Sequence, residues 1–362
     1  MMALGLFAAL VAAGPVMAQG AKMQVAATTR ATTAQAAEKP SSDMQALLNA
    51  FASLEPKPIE TLEPAEARKQ PTMADAVMKL AEERKITMPS NDDIEHDSAS
   101  YVNQHGDKLD MEIYYTKTGK DVKNKPVIVY FHGGGWVIAN TKVYEASIMA
   151  LARKTGAVVM APQYRQAPED RFPAAHEDAF AAYQWALASA KNYNADANRI
   201  AVVGESAGGN LATNVGIMSR QAKLKQPVAL GLIYPVAGTD MNTPSYMANA
   251  NAKPLNKPMM QWFVNNIAHP EDRAKVTADP RLNLQVANLT GLPRTTVITA
   301  GIDPLRSEGA MLADKLKAAG VTTTYQNYAG VSHEFFGADL VLPEAKSAQD
   351  MLAGQLNAAF GK

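Results

Sequence analysis

Three side chains that lie far apart in the sequence, Ser206, Asp303 and His333, together have the chemistry needed for acyl transfer. A serine hydroxyl is a weak nucleophile unless a neighbouring base takes its proton. Histidine can act as that base, and a carboxylate can fix the tautomer of the imidazole and stabilise its cation. Where the serine follows a strand of a parallel sheet, the acid and then the base come later in the chain. We therefore predict Ser206 as nucleophile, Asp303 as acid and His333 as base.

The residues around the serine predict a sharp turn between a strand and a helix. Ser206 follows the apolar run 199–203 and lies in the pattern G-x-S-x-G. Such a turn forces the serine into a strained backbone conformation and projects its hydroxyl above the sheet. Side chains in place of Gly204 and Gly208 would collide with the neighbouring helix and strand. We expect the N–H of Ala207, at the start of the helix, to face the developing oxyanion.

A second glycine-rich segment supplies further hydrogen-bond donors. Gly133, Gly134 and Gly135 follow the predicted strand 126–131 and allow the backbone to approach the site closely. Two of these amides, with the amide that follows the serine, would form an oxyanion hole of three donors. We expect His132 to organise this loop through hydrogen bonds and not to titrate in the mechanism. The sequence contains neither a phosphate-binding loop nor a dinucleotide fingerprint.

Apolar runs of the kind that form buried strands precede the candidate acid and base. Asp303 follows the run 295–301, and His333 lies in the loop after the run 322–328. Helical patterns, such as that over 174–190, alternate with these runs, which indicates a mostly parallel sheet covered by helices on both faces. The carboxyl ends of parallel strands meet at one edge, so we expect the three side chains to converge there. Further predicted strands are 126–132, 157–162, 199–204 and 229–235, with a hairpin of two strands in 101–115.

The composition and the hydrophobic pattern of the chain change several times along its length. We predict a signal peptide over 1–18, a disordered leader over 19–42 and helices over 43–90. The α/β domain then occupies 91–362. Residues near 240–280 interrupt the alternation of strands and helices, and we expect them to lie over the carboxyl ends of the strands.

The N-terminal segment has most features of an export signal. An apolar run extends from Leu4 to Ala13, and Val16 and Ala18 are small or apolar residues that suit cleavage after Ala18. The run is too short to span a bilayer, and no Lys or Arg precedes it. We expect a periplasmic or secreted protein with no stable membrane anchor. A buried or frayed N-terminal helix is the alternative.

The composition excludes several classes of function. The chain of 362 residues carries a formal net charge of zero and has no basic stretch that would favour a nucleic acid partner. It contains no cysteine, which rules out a thiolate nucleophile and cysteine-ligated metals. We expect no metal and no organic cofactor. The sequence leaves open whether the protein is a monomer or a homodimer.

Taken together, these motifs resemble those of the bacterial hormone-sensitive-lipase-like esterases (family IV) of the α/β-hydrolase superfamily. The resemblance covers about 94–360 and, more weakly, the helices at 43–90. It implies an esterase with the nucleophile, acid, base and oxyanion donors named above, and a helical cap built from 43–90 and from the segment near 240–280. The segments that carry it are "HGGGW" (132–136), "YRQAPEDRFPAAHED" (164–178), "GESAGGNLA" (204–212), "DPR" (279–281), "GLPRTTVITAGIDPLRSEG" (291–309) and "SHEFF" (332–336).

The sequence also departs from the pattern of that family. Glu205 stands where the family usually has aspartate, and we expect it to brace the glycine loop with little effect on catalysis. Ser307 and Glu308 stand where Asp-Glu is common. The residues "LNL" (282–284) follow "DPR" in place of the usual "SP", which leaves the wall of the acyl pocket uncertain.

The expected reaction is hydrolysis of a small-molecule ester through an acyl-serine intermediate, with short-to-medium acyl chains as the best-fitting substrates. Four apolar residues of the predicted cap would either line the substrate pocket or pack the cap on the core. Acetylated sugars, lactones, carbamates and amides are left open as substrates. The alternatives from other classes are a peptidase or amidase and a ligand-binding protein without catalysis. The four cap residues are Met259, Met260, Trp262 and Phe263.

Overall fold

The structure, a computed structural model, describes residues 38–119 and 121–362. The predicted signal peptide and the predicted leader as far as residue 37 lie outside these residues. In the described residues the strands are β1 (Ile94–Val102), β2 (Lys108–Thr116), β3 (Lys125–Phe131), β4 (Val158–Pro162), β5 (Ala195–Glu205), β6 (Ala229–Ile233), β7 (Arg294–Ile302) and β8 (Thr323–Ser332). The helices are α1 (Ser42–Ala52), α2 (Pro64–Ala67), α3 (Met73–Glu83), α4 (Glu145–Thr155), α5 (Ala174–Ser189), α6 (Ala207–Gln221), α7 (Pro244–Ala248), α8 (Lys257–Ile267), α9 (Arg273–Ala278), α10 (Arg306–Ala318) and α11 (Pro343–Ala359).

The strands form one sheet in the order β1-β2-β4-β3-β5-β6-β7-β8. The hairpin of β1 and β2 pairs antiparallel and joins the sheet through an antiparallel contact with β4. All pairs from β4 to β8 are parallel, so the prediction of a mostly parallel sheet is confirmed. The carboxyl ends of β5, β7 and β8 therefore lie along one edge of the sheet.

Both faces of the sheet are covered because its central strands present apolar side chains to both sides. In β3, Val127 and Val129 point into the core on the side of α5, α6 and α10, whereas Ile128 and Tyr130 point into the core on the side of α4 and α11. All seven residues of β3 are buried. Burial on both faces is what a parallel strand between two helical layers requires.

The helices before the sheet follow the predicted pattern. Thr72 caps α3, and its side chain and that of Asp75 bond reciprocally to each other's backbone N–H groups, which forms a capping box. The predicted apolar stripe is the buried face of α3, and it packs on the same side of the sheet as α1. The stripe consists of Met73, Ala76, Val77, Leu80 and Ala81. The region near 240–280 forms α7, α8 and α9 between β6 and β7.

Two predicted boundaries are wrong. The disordered leader was predicted to reach residue 42, but Ser41 caps α1, and its backbone N–H donates to the carbonyl of Gly330 over 2.8 Å. The last predicted strand was expected to end near Tyr328, but β8 continues to Ser332. The strand contains a bulge, and its pairing with β7 resumes beyond that bulge at Ser332 with Ile302.

Candidate active site

The backbone of Ser206 is strained and held on both sides. Its φ of 57° and ψ of −119° lie in a backbone region that residues other than glycine rarely adopt. Its N–H donates to Ile233 O over 2.9 Å, and its carbonyl accepts from Val236 N over 3.0 Å. The strain is therefore held by contacts with β6 and the loop that follows it. The side chain is left at the carboxyl edge of the sheet, as the G-x-S-x-G pattern predicts.

The two glycines beside the serine stand where no side chain fits. A Cβ on Gly204 would overlap the backbone of Gly208 in α6. A Cβ on Gly208 would overlap the carbonyl groups of Phe131 and His132 at the end of β3. The predicted collisions are thus present, one with the helix and one with the neighbouring strand.

A chain of two hydrogen bonds joins the three predicted site residues. The Nε2 atom of His333 is 3.0 Å from Ser206 Oγ, and its Nδ1 atom is 2.7 Å from Asp303 Oδ2. All three residues are buried, and Ser206, the most accessible, is 6% exposed. The other oxygen of Asp303 accepts the backbone N–H of Leu305 over 2.9 Å, which orients the carboxylate.

The charge of Asp303 decides the basicity of the histidine. Burial alone would lower the pKa of His333, because the low-dielectric interior disfavours the imidazolium. The carboxylate of Asp303 opposes this through its charge and its hydrogen bond, with Glu334 and Glu205 adding to the effect, and the pKa of His333 is raised. The imidazole can therefore accept a proton from a serine hydroxyl although it is enclosed.

The loop of three glycines follows β3 directly and contacts the serine. A Cβ on Gly133 would lie 3.1 Å from the Cβ of Ser206. The carbonyl of Gly133 is held by the Nδ1 of His132 at 2.8 Å and by the hydroxyl of Tyr164 at 3.2 Å. The N–H and C=O of a trans peptide point in opposite directions, so the N–H of Gly134 is turned away from these two rings.

The next peptide of the loop is fixed in the same way. The carbonyl of Gly134 accepts the N–H groups of Val137 and Ile138 over 3.0 and 2.9 Å, which turns the N–H of Gly135 away from that turn. Gly134 and Gly135 have φ values of 92° and 59°, which glycine adopts without strain. Both line the cavity that contains Ser206, so their amides are the two donors of the loop best placed for an oxyanion.

The histidine before these glycines cannot carry charge near neutral pH. Burial lowers the pKa of His132 to about 4, against a smaller opposing effect of its hydrogen bond to Gly133. The ring stacks on Tyr164 with centroids 4.3 Å apart, and Tyr164 also donates to the carbonyl of His132 over 2.9 Å. His132 therefore organises the loop as a neutral ring, as expected.

A cavity of about 830 Å³ opens onto Ser206 and His333. One wall comes from residues 40–73, a second from 134–143, and a third from 252–263. The lining combines apolar side chains with polar and charged ones, such as Glu55, Lys57 and Arg68. The apolar residues of the lining include Leu48, Phe51, Ile59, Ile138, Met259 and Phe263. The volume is in the range of small-molecule binding sites.

A family profile described as alpha/beta hydrolase fold matches residues 128–337, which include Ser206, Asp303, His333 and the glycine loop. This chain is a hormone-sensitive-lipase-like α/β-hydrolase. The fold and the family predicted from the motifs are thereby confirmed.

Named relatives agree on the class of reaction. The hydrolase is 33% identical over 244 residues to carboxylesterase NlhH of Mycobacterium tuberculosis, which covers 66% of this chain and 75% of that relative. It is 31% identical over 259 residues to ethyl acetate hydrolase of Pseudomonas putida, covering 71% and 80%. A solved ester hydrolase from the metagenome of Lake Arreo, complexed with a bipyridine phosphonate derivative, is 34% identical with a TM-score of 0.77 and covers 89% of this chain and all of that one. The hydrolase is a carboxylesterase.

The predicted cap residues of the esterase divide between lining and packing. Met259 and Phe263 line the cavity, and a Cβ on Gly135 would overlap the ring of Phe263. Met260 is buried in the core, and the indole N–H of Trp262 donates to the carbonyl of Leu62 over 3.1 Å. Two of the four residues therefore border the substrate space, and two hold α8 in place.

The residues that depart from the family pattern are packed in the core or hydrogen-bonded. Leu282 and Leu284 are buried in the core and are not among the residues that line the cavity in the described part of the chain. Ser307 exchanges two hydrogen bonds with Ser245, over 2.9 and 3.1 Å. Glu308 is buried and accepts the N–H of Ala237 over 2.8 Å, and burial raises its pKa to about 8.

The role expected of Glu205 is wrong in its detail. Its carboxylate does not bond to the glycine loop but accepts hydrogen bonds from the hydroxyls of Tyr130 and Tyr234, beneath the serine. Burial raises the pKa of Glu205, although these hydrogen bonds oppose the shift. The ring of Tyr234 in turn packs against His333 with centroids 4.5 Å apart. Glu205 thus braces the tyrosines that support the site from below.

The contacts of Glu205 with Tyr130 and Tyr234 were not predicted from the sequence, and neither was the place of Glu334 in the site. Glu334 lines the cavity, has a φ of 62°, and accepts the hydroxyl of Tyr144 over 3.2 Å. Its position directly after His333 is evident in "SHEFF", but nothing in the motif indicates that the residue lines the cavity. Tyr130 lies in β3 and Tyr234 directly after β6, so no fixed sequence spacing links the two tyrosines.

Two further findings concern the whole of the described chain. Among residues 38–119 and 121–362, no cluster of three or more histidine or carboxylate side chains is arranged to hold a metal ion. In the same ranges no helix has both the length and the apolar character needed to cross a bilayer.

Proposed function

We propose that the chain hydrolyses carboxylic esters of short-to-medium acyl chains, with Ser206 as nucleophile, His333 as general base and Asp303 as its orienting acid. The observation that carries this proposal is the hydrogen-bonded chain from Ser206 Oγ through His333 to Asp303, at 3.0 and 2.7 Å. It lies beside a glycine loop whose carbonyls are fixed and whose cavity-facing amides have no partner within the described residues.

The first half of the reaction acylates the serine. Asp303 accepts the Nδ1–H of His333, so Nε2 carries the lone pair that takes the proton of Ser206 as Oγ attacks the ester carbonyl. The oxyanion receives hydrogen bonds from two amides of the segment Gly133, Gly134 and Gly135 and from the amide of Ala207. Each such donor is worth roughly 3–4 kcal/mol of transition-state stabilisation. His333 then gives its proton to the leaving alcohol.

The second half releases the acid. His333 takes a proton from water, which attacks the acyl carbonyl on Ser206 and forms a second oxyanion in the same hole. When the tetrahedral intermediate breaks down, the proton returns to Oγ and the carboxylic acid leaves. Every group required belongs to the chain, so the proposal includes no metal and no organic cofactor.

The size and lining of the cavity support the proposed acyl length. A cavity of about 830 Å³, bordered on one side by Phe263 and Met259, accommodates several methylenes and adapts through the flexible methionine. A relative whose name specifies ethyl acetate as substrate supports the short end of this range.

A labelling experiment tests the roles of the residues. A fluorophosphonate probe should modify Ser206 alone in the wild-type chain and should not modify Ser206→Ala, whose hydrolysis of p-nitrophenyl butyrate should be abolished. Ser98→Ala, on the exposed edge strand β1, is the matched control and should keep wild-type labelling. Full activity in Ser206→Ala would contradict the proposal.

A substrate series tests the acyl length. With p-nitrophenyl acetate, butyrate, octanoate and palmitate, we expect the highest kcat/KM at butyrate or octanoate. Palmitate should be at least about tenfold poorer, because its longer chain would also lie against polar residues of the lining, such as Glu55, Lys57 and Arg68. A steady rise as far as palmitate would contradict the proposed chain length and leave the residue roles intact.

We also propose that the esterase is exported, with cleavage after Ala18. The apolar run from Leu4 to Ala13 and the residues at Val16 and Ala18 support this. N-terminal sequencing of the protein from a periplasmic fraction should begin at Gln19. A chain found only in the cytosol with its first residues retained would contradict the proposal.

A further inference from the structure

The strand that carries the catalytic base contains two extra residues just before that base. Thr295 pairs with Thr323, and this register continues as far as Ala300 and Tyr328. The next pair is Ile302 with Ser332, so one residue of β7 faces the three residues 329–331 of β8. Such a bulge leaves backbone groups without ladder partners and redirects the strand beyond it.

The bulge sets the positions of both the acid and the base. Asp303 directly follows Ile302, and His333 directly follows Ser332, so the last pair of the ladder places the two side chains next to each other. If the earlier register continued without a bulge, Ile302 would pair with residue 330, and His333 would lie two positions further along. The contact of 2.7 Å between His333 and Asp303 therefore depends on the shape of the bulge.

The backbone groups exposed by the bulge are bound by the segment before α1. Gly330, with a φ of 72°, donates its N–H to Glu38 Oε1 over 2.6 Å, and its carbonyl accepts the N–H of Ser41 over 2.8 Å. The hydroxyl of Ser332 lies 3.6 Å from the sulfur of Met44. One short segment thus supplies both hydrogen-bond partners of Gly330.

The same carboxylate also reaches the loop of the acid. Glu38 Oε2 lies 3.4 Å from Arg306 Nη1, which itself donates to the carbonyl of Gly301 over 3.0 Å. The Cα of Gly301 lies against the Glu38 carboxylate, so that a Cβ there would overlap it. Glu38 therefore connects the end of β7, which leads to Asp303, with the bulge of β8, which leads to His333.

We infer that Glu38 is a positioning residue for the catalytic pair, acting through Gly330 and Arg306 and not by contact with the substrate. The inference rests on the proposed roles of His333 and Asp303. Loss of the carboxylate frees the bulge, and the imidazole then spends less time at the distance required for proton transfer. A small misplacement of a catalytic group is enough to slow the chemical step while substrate binding is unchanged.

Substitutions at Glu38 test the inference through the division of the effect between kcat and KM. In the full chain, Glu38→Ala should lower kcat for p-nitrophenyl butyrate about tenfold, with KM within about twofold of wild type. Glu38→Gln keeps an oxygen that can accept the Gly330 N–H, and it should recover most of kcat. Arg84→Ala breaks the ion pair of 2.9 Å between Arg84 and Asp43, and so loosens α1 and α3 without touching the bulge. It should leave kcat unchanged.

A second pair of variants covers the case in which Glu38→Ala does not fold. Ser41→Ala and Ser41→Pro both lose the side-chain cap of α1, but only proline also loses the N–H that donates to Gly330. The φ of Ser41 is −60°, which proline adopts readily. We expect kcat to fall several-fold further in Ser41→Pro than in Ser41→Ala.

The results separate this inference from the proposed function. If Asp303→Asn and Ser206→Ala are inactive but Glu38→Ala keeps its kcat, or loses no more than Arg84→Ala, the inference is overturned and the mechanism stands. If Ser41→Pro and Ser41→Ala have equal kcat, the inference is likewise overturned. If Asp303→Asn and Ser206→Ala are both fully active, the proposed function itself fails.

Discussion

The serine and the histidine of this site are positioned in different ways. Ser206 lies in a turn of five residues, in which Gly204 and Gly208 leave room for the neighbouring elements, and β6 then holds its backbone. His333 is placed by distant residues, because the bulge before it is bound by a segment almost 300 positions earlier in the chain. The comparison teaches that the turn of the serine can be recognised from five consecutive residues, whereas the position of the histidine depends on contacts that no local pattern reveals.

The largest expected effect on kcat comes from the acid that orients His333. Asp303→Asn removes the charge that orients the imidazole but leaves an oxygen for the N–H of Leu305. We expect kcat to fall about 10⁴-fold because the unfavoured tautomer predominates. Steady-state kinetics with p-nitrophenyl butyrate measures this. Asp314→Asn, at an exposed position on α10, should be fully active. If kcat fell by less than about tenfold in Asp303→Asn, the orientation of the imidazole would not depend on the charge of Asp303.

A smaller effect is expected from the turn that carries the serine. Gly208→Ala puts a methyl group onto the carbonyls at the end of β3 and displaces both Ser206 and the adjacent glycine loop. We expect kcat/KM to fall about 10²-fold, together with a lower Tm. Gly354→Ala is the matched control, because a Cβ there meets nothing within 4 Å and alanine is favoured in a helix. An active, stable Gly208→Ala would contradict the local account of the turn.

The pH profile examines the base without changing the chain. The raised pKa of His333 means that the imidazole is protonated, and so inactive as a base, below an inflection that lies above about 6.5. We therefore expect kcat/KM to rise with pH through that inflection, by several-fold between about pH 6 and 8. In Asp303→Asn, the negative charge that raises the pKa of His333 is lost, while the burial that lowers this pKa remains. The inflection should therefore move to lower pH. An inflection that does not move would mean that Asp303 is not the cause.

The smallest expected effect comes from restoring the residue that the family usually has. Glu205→Asp shortens the side chain and withdraws the carboxylate from Tyr130 and Tyr234. We expect a loss of about 1–3 kcal/mol in the free energy of unfolding, measured with urea. Since the backbone bonds of Ser206 remain, kcat/KM should stay within about threefold. Glu63→Asp, at an exposed position, is the control. A large loss of activity with unchanged stability would give Glu205 a more direct role.

The parts of the site that could be predicted are those written in consecutive residues. The turn at Ser206, the glycine loop after β3 and the chain order of acid and base follow from local patterns. The capping box at Thr72 is of the same kind, since its two partners are three positions apart. Such features depend on backbone geometry over a single turn, and the spacing of a few residue types specifies them.

The parts that could not be predicted depend on pairs of residues without a fixed spacing. Gly330 within a strand run indicates a bulge, and this signal could have corrected the end of β8. Nothing in the sequence connects that glycine with Glu38, or Glu205 with Tyr130 and Tyr234. These contacts exist because the packed sheet brings their elements together, and an ordinary glutamate looks the same whether it is exposed or buried.

The ring of Phe263 that rests on the bare backbone of Gly135 has a consequence for selectivity. An ester wide enough to push α8 outward would also lift this ring from the peptide that we propose as an oxyanion donor. A bulky substrate would then weaken the stabilisation of the oxyanion. Its poor fit would lower kcat more than it would raise KM.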